Sequence, residues 1–279
     1  MLTDFLKSGG FDAYVIVSES VNSADMYYAT GFLAHDPFAC VCGEPDFILI
    51  SEMELGRAGK ESRVADIRTT SGYGFMEKYR SSKDADTAYA EVLAEALSRR
   101  SKIAVPKSFP VYLADSLRRY GFDVVPVKSP LHKMREVKTE EEVCEIERTQ
   151  RAAESAMAAA LAALAASEER RGELYLGGAR LTSESMRALI EKTLLEQGCE
   201  ASNTIVACGT ASSDPHSTGA GVLTADEPIV IDMVPRRSKS RYYTDMTRTF
   251  VRGDAPPELA EMYDAVRDAQ ETAFDMIRA

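Results

Sequence analysis

Short apolar runs and amphipathic stretches alternate along the first 130 residues. Apolar runs of strand length occur at residues 13–17, 38–50, 102–106 and 123–127. Amphipathic stretches with helical spacing occur near residues 22–29, 84–100 and 110–120. The second apolar run contains Gly43-Glu44-Pro45 and therefore predicts a hairpin. Strands and helices that alternate in this way indicate an α/β domain, which we expect to span residues 1–132.

The pattern changes after Pro130, where the chain becomes strongly helical. Thr139 followed by Glu142 predicts a capping box at the start of a long helix. An apolar stripe with helical spacing is expected to face the core of a second domain, residues 133–279. The stripe consists of Val143, Ile146, Ala153, Met157 and Leu161.

The sequence pattern in the rest of the second domain predicts a helix, a strand, a loop, a hairpin and a final helix, in that order. The first of these helices is capped by Thr182 or Ser183 and ends near Gly198. The predicted strands lie at residues 203–209, 227–234 and 241–251, and a last helix begins near Pro257.

Composition and charge narrow the class of protein. The chain has 279 residues, with 45% hydrophobic and 28% charged residues, which is typical of a soluble protein with two domains. Its net charge is −11, and the acids are spread along the chain, which argues against nucleic acid as a partner. We find no apolar run of membrane-spanning length and no signal peptide. The five cysteines are expected to be free thiols in the cytoplasm.

Two acids lie in the predicted hairpin. Asp232 follows the apolar run 229–231, and Asp245 lies at the centre of RYYTDMTRTF. If the turn centres on Ser238-Lys239, the two aspartates face each other with Cβ atoms about 4.5–5.5 Å apart. Facing carboxylates need a cation or a shared proton, and a pair of divalent ions would fit between them.

Other residues add to this metal hypothesis. Thr247 and Thr249 share the face of Asp245 and could hydrogen-bond to its carboxylate. Oxygen ligands completed by histidine would favour Mn, Fe, Co or Zn. The alternative is that the acids are ordinary hairpin residues, because a bulge at Pro235 could shift the register.

His216 lies in SSDPHSTGAG, a loop dense in turn-forming residues. Loops on rigid scaffolds often carry function, and histidine is the usual residue for proton transfer near neutral pH. His216 is therefore a candidate catalytic residue. The alternative is a histidine on a surface loop with no chemical role.

Five segments occur in an order that resembles one known family. They are KMREVKTEEEVCEIERTQRAA, LTSESMRALIEKTLLEQG, TIVACGTASSDPHSTG, IVIDMVPRRSKSRYYTDMTRTFVRG and ELAEMYDAVRDAQETAFDMI. The series resembles the pita-bread metallopeptidases, which include Xaa-Pro aminopeptidases, prolidases and methionyl aminopeptidases, with creatinase as a metal-free relative. The Asp-x-Thr-Arg-Thr element after the second strand is the most specific part of the match.

The resemblance implies both a fold and a reaction. The fold would be an α/β creatinase-like N-terminal domain followed by an α+β pita-bread (creatinase/aminopeptidase) catalytic domain. Asp232 would bind one divalent ion, Asp245 would bridge two, and His216 would hydrogen-bond to the substrate. A dinuclear metal-bound hydroxide would then cleave the peptide bond before proline. The N-terminal domain favours the aminopeptidase P or prolidase branch, with peptides that carry proline at the second position as substrates and a homodimer as the assembly.

The sequence departs from the family pattern in two ways. Asp232 is followed by Met233-Val234 rather than by the Asp-x-Gly of many relatives, and the turn between the acids is two residues longer than usual. The family also completes its site with one histidine and two glutamates from strands beyond the last helix seen here. We therefore expect the catalytic domain to be incomplete, and the 279-residue chain to be inactive by itself and poorly soluble.

Two alternatives to the peptidase remain open. One is a non-catalytic pita-bread protein that serves as a peptide-binding or scaffold module. The other is creatinase-type chemistry without metal. Both are disfavoured because Asp232 and Asp245 are present together with Thr247, Arg248 and Thr249.

Overall fold

The fold consists of two compact units. A computed structural model describes residues 1–98 and 100–277 of the chain. It divides the chain into Met1–Val137 and Lys138–Ala279. The change of sequence pattern after Pro130 therefore lies close to the division between the units.

The first unit is built on a six-stranded mixed sheet. Its strands are β1 (Ala13–Ser18), β2 (Phe38–Gly43), β3 (Phe47–Ile50), β4 (Ile67–Thr69), β5 (Lys102–Pro106) and β6 (Asp123–Val127). They lie in the order β4-β3-β2-β1-β5-β6. The pairs β1–β2 and β2–β3 are antiparallel, and the other three pairs are parallel. All the predicted strands are confirmed, whereas the short β4 was not predicted.

Helices cover the sheet of the first unit. They are α1 (Leu2–Gly9), α2 (Ala24–Thr30), α3 (Leu55–Glu61), α4 (Phe75–Ser82), α5 (Ala85–Ala96), α6 (Val111–Arg119) and α7 (Pro130–Met134). Val15 and Val17 belong to one core cluster, and Tyr14 and Ile16 belong to another. Both faces of β1 are therefore buried, which explains why this strand is continuously apolar rather than alternating.

Among the described residues of the second unit, the α-helices are α8 (Glu140–Ala166), α9 (Ser183–Glu196) and α10 (Pro257–Met276). The capping box of Thr139 and Glu142 is confirmed at the start of α8. Thr182 caps α9, and Gly198 takes a left-handed φ of 71° after its end, as the sequence predicts.

The predicted apolar stripe on α8 is wrong in part. Ala153 and Met157 are buried, but Val143 and Leu161 are 43% and 48% exposed. The buried face consists of Thr149, Ala152, Ala153, Ala156, Met157, Ala160, Ala163 and Leu164. This face is mostly alanine, which permits close packing against α9 but contributes little to a hydrophobic pattern.

The described strands of the second unit form three small sheets. The first contains β7 (Glu168–Arg170), β8 (Glu173–Leu176) and β9 (Ala179–Arg180), and the second pairs β10 (Cys199–Ala201) with β13 (Pro235–Arg237). The third has the order β11 (Ile205–Cys208), β12 (Pro228–Met233) and β14 (Met246–Val251). The first sheet and β10 were not predicted, because strands of two to four mixed residues leave no clear period.

The last helix carries apolar side chains on its surface. Met262, Tyr263, Val266 and Phe274 of α10 are all more than 60% exposed. No described residue of α10 is buried. None of the described helices is long and apolar enough to cross a membrane.

Candidate metal centre

Asp232 lies on the face of β12 that points away from the core. Ile229, Ile231 and Met233 alternate with it along the strand and are fully buried. Side chains of a strand point alternately to opposite faces, so burial of these three residues turns Asp232 to the other face. Asp232 itself is half-buried.

The hairpin register differs from the predicted one. Asp232 pairs with Thr247, not with Asp245. The isolated bridge between Arg236 and Tyr243 continues the same register towards the turn. The turn therefore centres one residue later than predicted, on Lys239-Ser240.

The turn itself explains the shift. Arg241 adopts a left-handed φ of 66°, and its backbone N–H donates to the Arg237 carbonyl at 2.9 Å. The backbone N–H of Arg237 in turn donates to the Tyr242 carbonyl at 2.9 Å. Four residues, 238–241, thus connect the arms of the hairpin. Glycine and asparagine are the residues that usually indicate this conformation, and arginine rarely adopts it. The sequence therefore carries no signal for the position of the turn.

Asp245 is nevertheless on the same face as Asp232. In the observed register it lies opposite Val234, immediately before β14, and its side chain is exposed. The two aspartates are therefore diagonal neighbours, roughly 7–8 Å apart by strand geometry. The direct opposition predicted from the sequence is wrong, but the shared face is retained because the register shifted by an even number of residues.

A threonine hydroxyl contacts Asp232. Thr247 Oγ1 donates to Asp232 Oδ1 at 2.5 Å. Thr249 pairs with Val230 and lies two residues further along the same face. In the structure Thr247 thus orients Asp232, whereas the sequence suggested that it would support Asp245.

The charge on this face is unbalanced. Among the described residues, neither Asp232 nor Asp245 has a basic side chain within ion-pair distance. The guanidinium of nearby Arg248 donates to the Thr247 carbonyl at 2.7 Å instead. Two carboxylates on one face without a basic partner are suited to a bound cation. Within the described part of the chain, however, no group of three or more His, Cys, Asp and Glu residues could hold a metal ion.

His216 lies in the exposed loop after β11. Its backbone N–H donates to Asp214 Oδ1 at 3.0 Å, which forms a local turn. Two residues later the chain runs beside β11, where the Val206 N–H donates to the Thr218 carbonyl at 3.1 Å. The segment that follows His216 is therefore separated from β12 by β11, at roughly 10 Å for two strand spacings.

Gly219 fixes the end of this loop. Its φ is +75°, and a Cβ atom there would lie 1.8 Å from the Val206 carbonyl oxygen. Only glycine permits so close an approach of the loop to β11. The loop that carries His216 is thus held to the sheet that carries Asp232.

Two family models match nearly the whole chain. Residues 1–137 match the creatinase/prolidase N-terminal domain. Residues 145–279 match metallopeptidase family M24. The chain belongs to family M24. It is therefore a peptidase, and its family is one of metal-dependent enzymes.

Proteins similar to this M24 chain include a dipeptidase, a prolidase and an aminopeptidase. It is 24% identical over 283 residues to a Xaa-Pro dipeptidase of Pyrococcus horikoshii, and the match covers 98% of the chain and 69% of the relative. A crystal structure of the prolidase from the same organism superposes with a TM-score of 0.75 at 22% identity, covering 98% of this chain and 70% of that one. The crystal structure of the X-Pro aminopeptidase of Thermotoga maritima superposes with a TM-score of 0.72 at 21% identity. The match covers 98% of this chain and 72% of that one. These structures show the same fold.

Sequence reasoning missed how the hairpin of the M24 domain is held. The hydroxyl of Tyr242 donates to Glu142 Oε1 at 2.6 Å, and Glu142 was identified only as part of a capping box. Burial opposes ionisation of Glu142, but hydrogen bonds from Tyr242 and Thr139 outweigh it and lower the pKa of the carboxyl. The residues are 100 positions apart, so no local pattern could have indicated the contact.

Proposed function

We propose that this M24 protein hydrolyses the peptide bond before proline in substrates that carry proline at the second position. The observation that carries the proposal is the pair Asp232 and Asp245, which share one sheet face without a basic partner among the described residues. The names of the relatives, a Xaa-Pro dipeptidase, a prolidase and an X-Pro aminopeptidase, support the choice of substrate.

The aspartates have different surroundings and hence different roles. Asp232 is half-buried on the central strand β12 and is oriented by Thr247, so it would hold one ion rigidly. Asp245 is exposed immediately before β14, and its carboxylate would contribute to the binding of either ion. Carboxylate oxygens suit Mn, Fe, Co or Zn when nitrogen ligands complete the set. Ions bound by these aspartates would lower the pKa of a water molecule and would polarise the substrate carbonyl.

His216 would act on the substrate rather than on the ions. Its loop is tied to β11 through Thr218 and Gly219, yet its own side chain is exposed to solvent. An imidazole in this place can donate a hydrogen bond to the oxygen on which negative charge develops. His216 would therefore act only when a peptide is bound beside it.

We also expect the 279-residue chain to be inactive by itself. Two carboxylates leave too few ligands for two ions, because catalytic metals take about three protein ligands each. Among the described residues no third acid, histidine or cysteine joins Asp232 and Asp245 in a metal-binding group. Further ligands would have to complete the set.

The test is hydrolysis of matched peptides by the protein expressed from its complete gene. After treatment with a chelator and addition of Mn²⁺, we expect cleavage of Ala-Pro-Ala and much slower cleavage of Ala-Ala-Ala. The 279-residue chain should cleave neither peptide, and turnover by it would contradict the ligand count. If the complete protein cleaves neither peptide and binds no Mn²⁺, a non-catalytic peptide-binding or scaffold module would replace the proposal.

A further inference from the structure

Three contacts tie the segment just before Asp245 to helix α8. The Tyr242 hydroxyl donates to Glu142 Oε1 at 2.6 Å. The Thr149 hydroxyl lies 3.3 Å from the Tyr242 carbonyl oxygen. The Thr244 hydroxyl donates to Gln150 Oε1. We call these contacts, between residues 242–244 and residues 142–150, the α8 clamp.

The α8 clamp is rigid on the helix side. Glu142 uses its other oxygen, Oε2, to accept the backbone N–H of Thr139 at 2.7 Å, which closes the capping box. Both carboxylate oxygens of Glu142 are therefore engaged, one on the helix start and one on Tyr242. Thr149 is fully buried, and its hydroxyl also donates to the Glu145 carbonyl of its own helix at 2.9 Å.

Asp245 needs such support more than Asp232 does. Asp232 lies on β12, which has β11 and β14 as neighbours on its two sides. Asp245 precedes β14, which pairs only with β12 among the described strands. On its C-terminal side Asp245 is followed by the buried Met246, which pairs with Met233. The α8 clamp supplies the corresponding anchor on its N-terminal side.

We propose that Glu142 and Gln150 are positioning residues that hold the Asp245 carboxylate in place for metal binding through Tyr242 and Thr244. The proposal rests on the metal site proposed above. A metal ligand must be held within about half an ångström of its productive position. Residues that support a ligand through hydrogen bonds typically change metal affinity by about 10- to 100-fold when they are removed.

The experiment compares two adjacent tyrosines in the protein expressed from its complete gene. Tyr242→Phe removes only the hydroxyl that reaches Glu142. Tyr243→Phe is the matched control, because the Tyr243 hydroxyl has no hydrogen-bond partner among the described residues. Titration with Co²⁺ is followed by visible absorption. We expect the Kd for Co²⁺ to rise about tenfold in Tyr242→Phe and to stay unchanged in Tyr243→Phe.

A second pair of variants separates positioning from general stability. Glu142→Gln keeps an oxygen for the Thr139 N–H and an amide that can donate to the Tyr242 hydroxyl, so Co²⁺ affinity should stay close to that of the wild type. Glu142→Ala removes both contacts and should raise the Kd by at least tenfold and change the absorption spectrum at saturating Co²⁺. Loss of stability alone would not change the spectrum of the folded, saturated site.

The outcomes distinguish the two proposals. If the wild-type protein binds no Co²⁺, both the metal site and the positioning role fail. If the wild type binds Co²⁺ and Asp245→Asn abolishes binding, but Tyr242→Phe behaves like Tyr243→Phe, only the positioning role fails.

Discussion

Individual atoms on one sheet face of the second unit determine the surroundings of Asp232. Asp232 gives one carboxylate oxygen to the Thr247 hydroxyl, and its other oxygen has no hydrogen-bond donor among the described residues. The threonine thus fixes the carboxylate while leaving it the capacity to bind a cation. The Val206 carbonyl oxygen constrains the loop of His216, because a Cβ atom added at Gly219 would lie only 1.8 Å from it.

Gly219→Ala should destabilise the fold and displace the loop. The added Cβ would meet the Val206 carbonyl oxygen at 1.8 Å in a backbone conformation that L-residues rarely adopt. We expect a loss of about 2–3 kcal/mol in the free energy of unfolding, measured by urea denaturation.

Gly221→Ala is the control for Gly219→Ala. Gly221 also has a positive φ, of 81°, but nothing lies within 4 Å of the added Cβ. Gly221→Ala should lower the free energy of unfolding only by the cost of placing alanine at a positive φ, about 1–2 kcal/mol. Equal losses in the two variants would contradict the close approach of the loop to β11.

At the scale of elements, the hairpin of β12 and β14 is held by neighbours on two sides. The α8 clamp holds residues 242–244 from α8. On β10, Glu200 accepts hydrogen bonds from Arg236 at 2.9 Å and Arg241 at 2.6 Å. The turn is thus fixed by side chains distant in sequence as well as by its own backbone.

The contact of Glu200 predicts a pH-dependent stability. Hydrogen bonding to Arg236 and the charge of Arg241 lower the pKa of the Glu200 carboxyl below its unfolded value, near 4.3. A lowered pKa in the folded state contributes stability above the unfolded pKa, and this stability is lost as pH falls through the folded pKa. Glu200→Gln should therefore lower the melting temperature at pH 7 and have a smaller effect at pH 3.

The effect of Glu200→Gln should be small, below about 1 kcal/mol, because the side chain is 45% exposed and its ion pairs are screened by solvent. Glu196→Gln on α9 is the control, since Glu196 is 63% exposed and makes only a 3.9 Å ion pair with Lys192. An equal change for Glu200→Gln at both pH values would contradict the proposed origin of the stability.

Most elements could be predicted because their signals are local. The capping box of Thr139 and Glu142 and the buried strand at residues 13–17 each lie within a few residues of sequence. The register of the hairpin could not be predicted, because it depends on Arg241 adopting a left-handed conformation. The shared face of Asp232 and Asp245 could be predicted because it depends only on the parity of the register, but the two residues are diagonal rather than opposed.

At the scale of the molecule, the two units have separate cores and separate matches to known families. The candidate metal centre lies wholly within the second unit. The chain covers 69% of the Pyrococcus horikoshii dipeptidase, so this relative is longer than the chain described here. The proposed binding of divalent metal by Asp232 and Asp245 is tested by the number of ions that the protein binds.

The most direct measurement is equilibrium dialysis of Mn²⁺ against the protein expressed from its complete gene. We predict two bound ions per wild-type chain and at least a tenfold loss of affinity in Asp245→Asn, because the amide oxygen is a weaker and uncharged ligand. Asp264→Asn on the exposed helix α10 should bind like the wild type. Unchanged Mn²⁺ binding in Asp245→Asn would contradict the assignment of the metal centre.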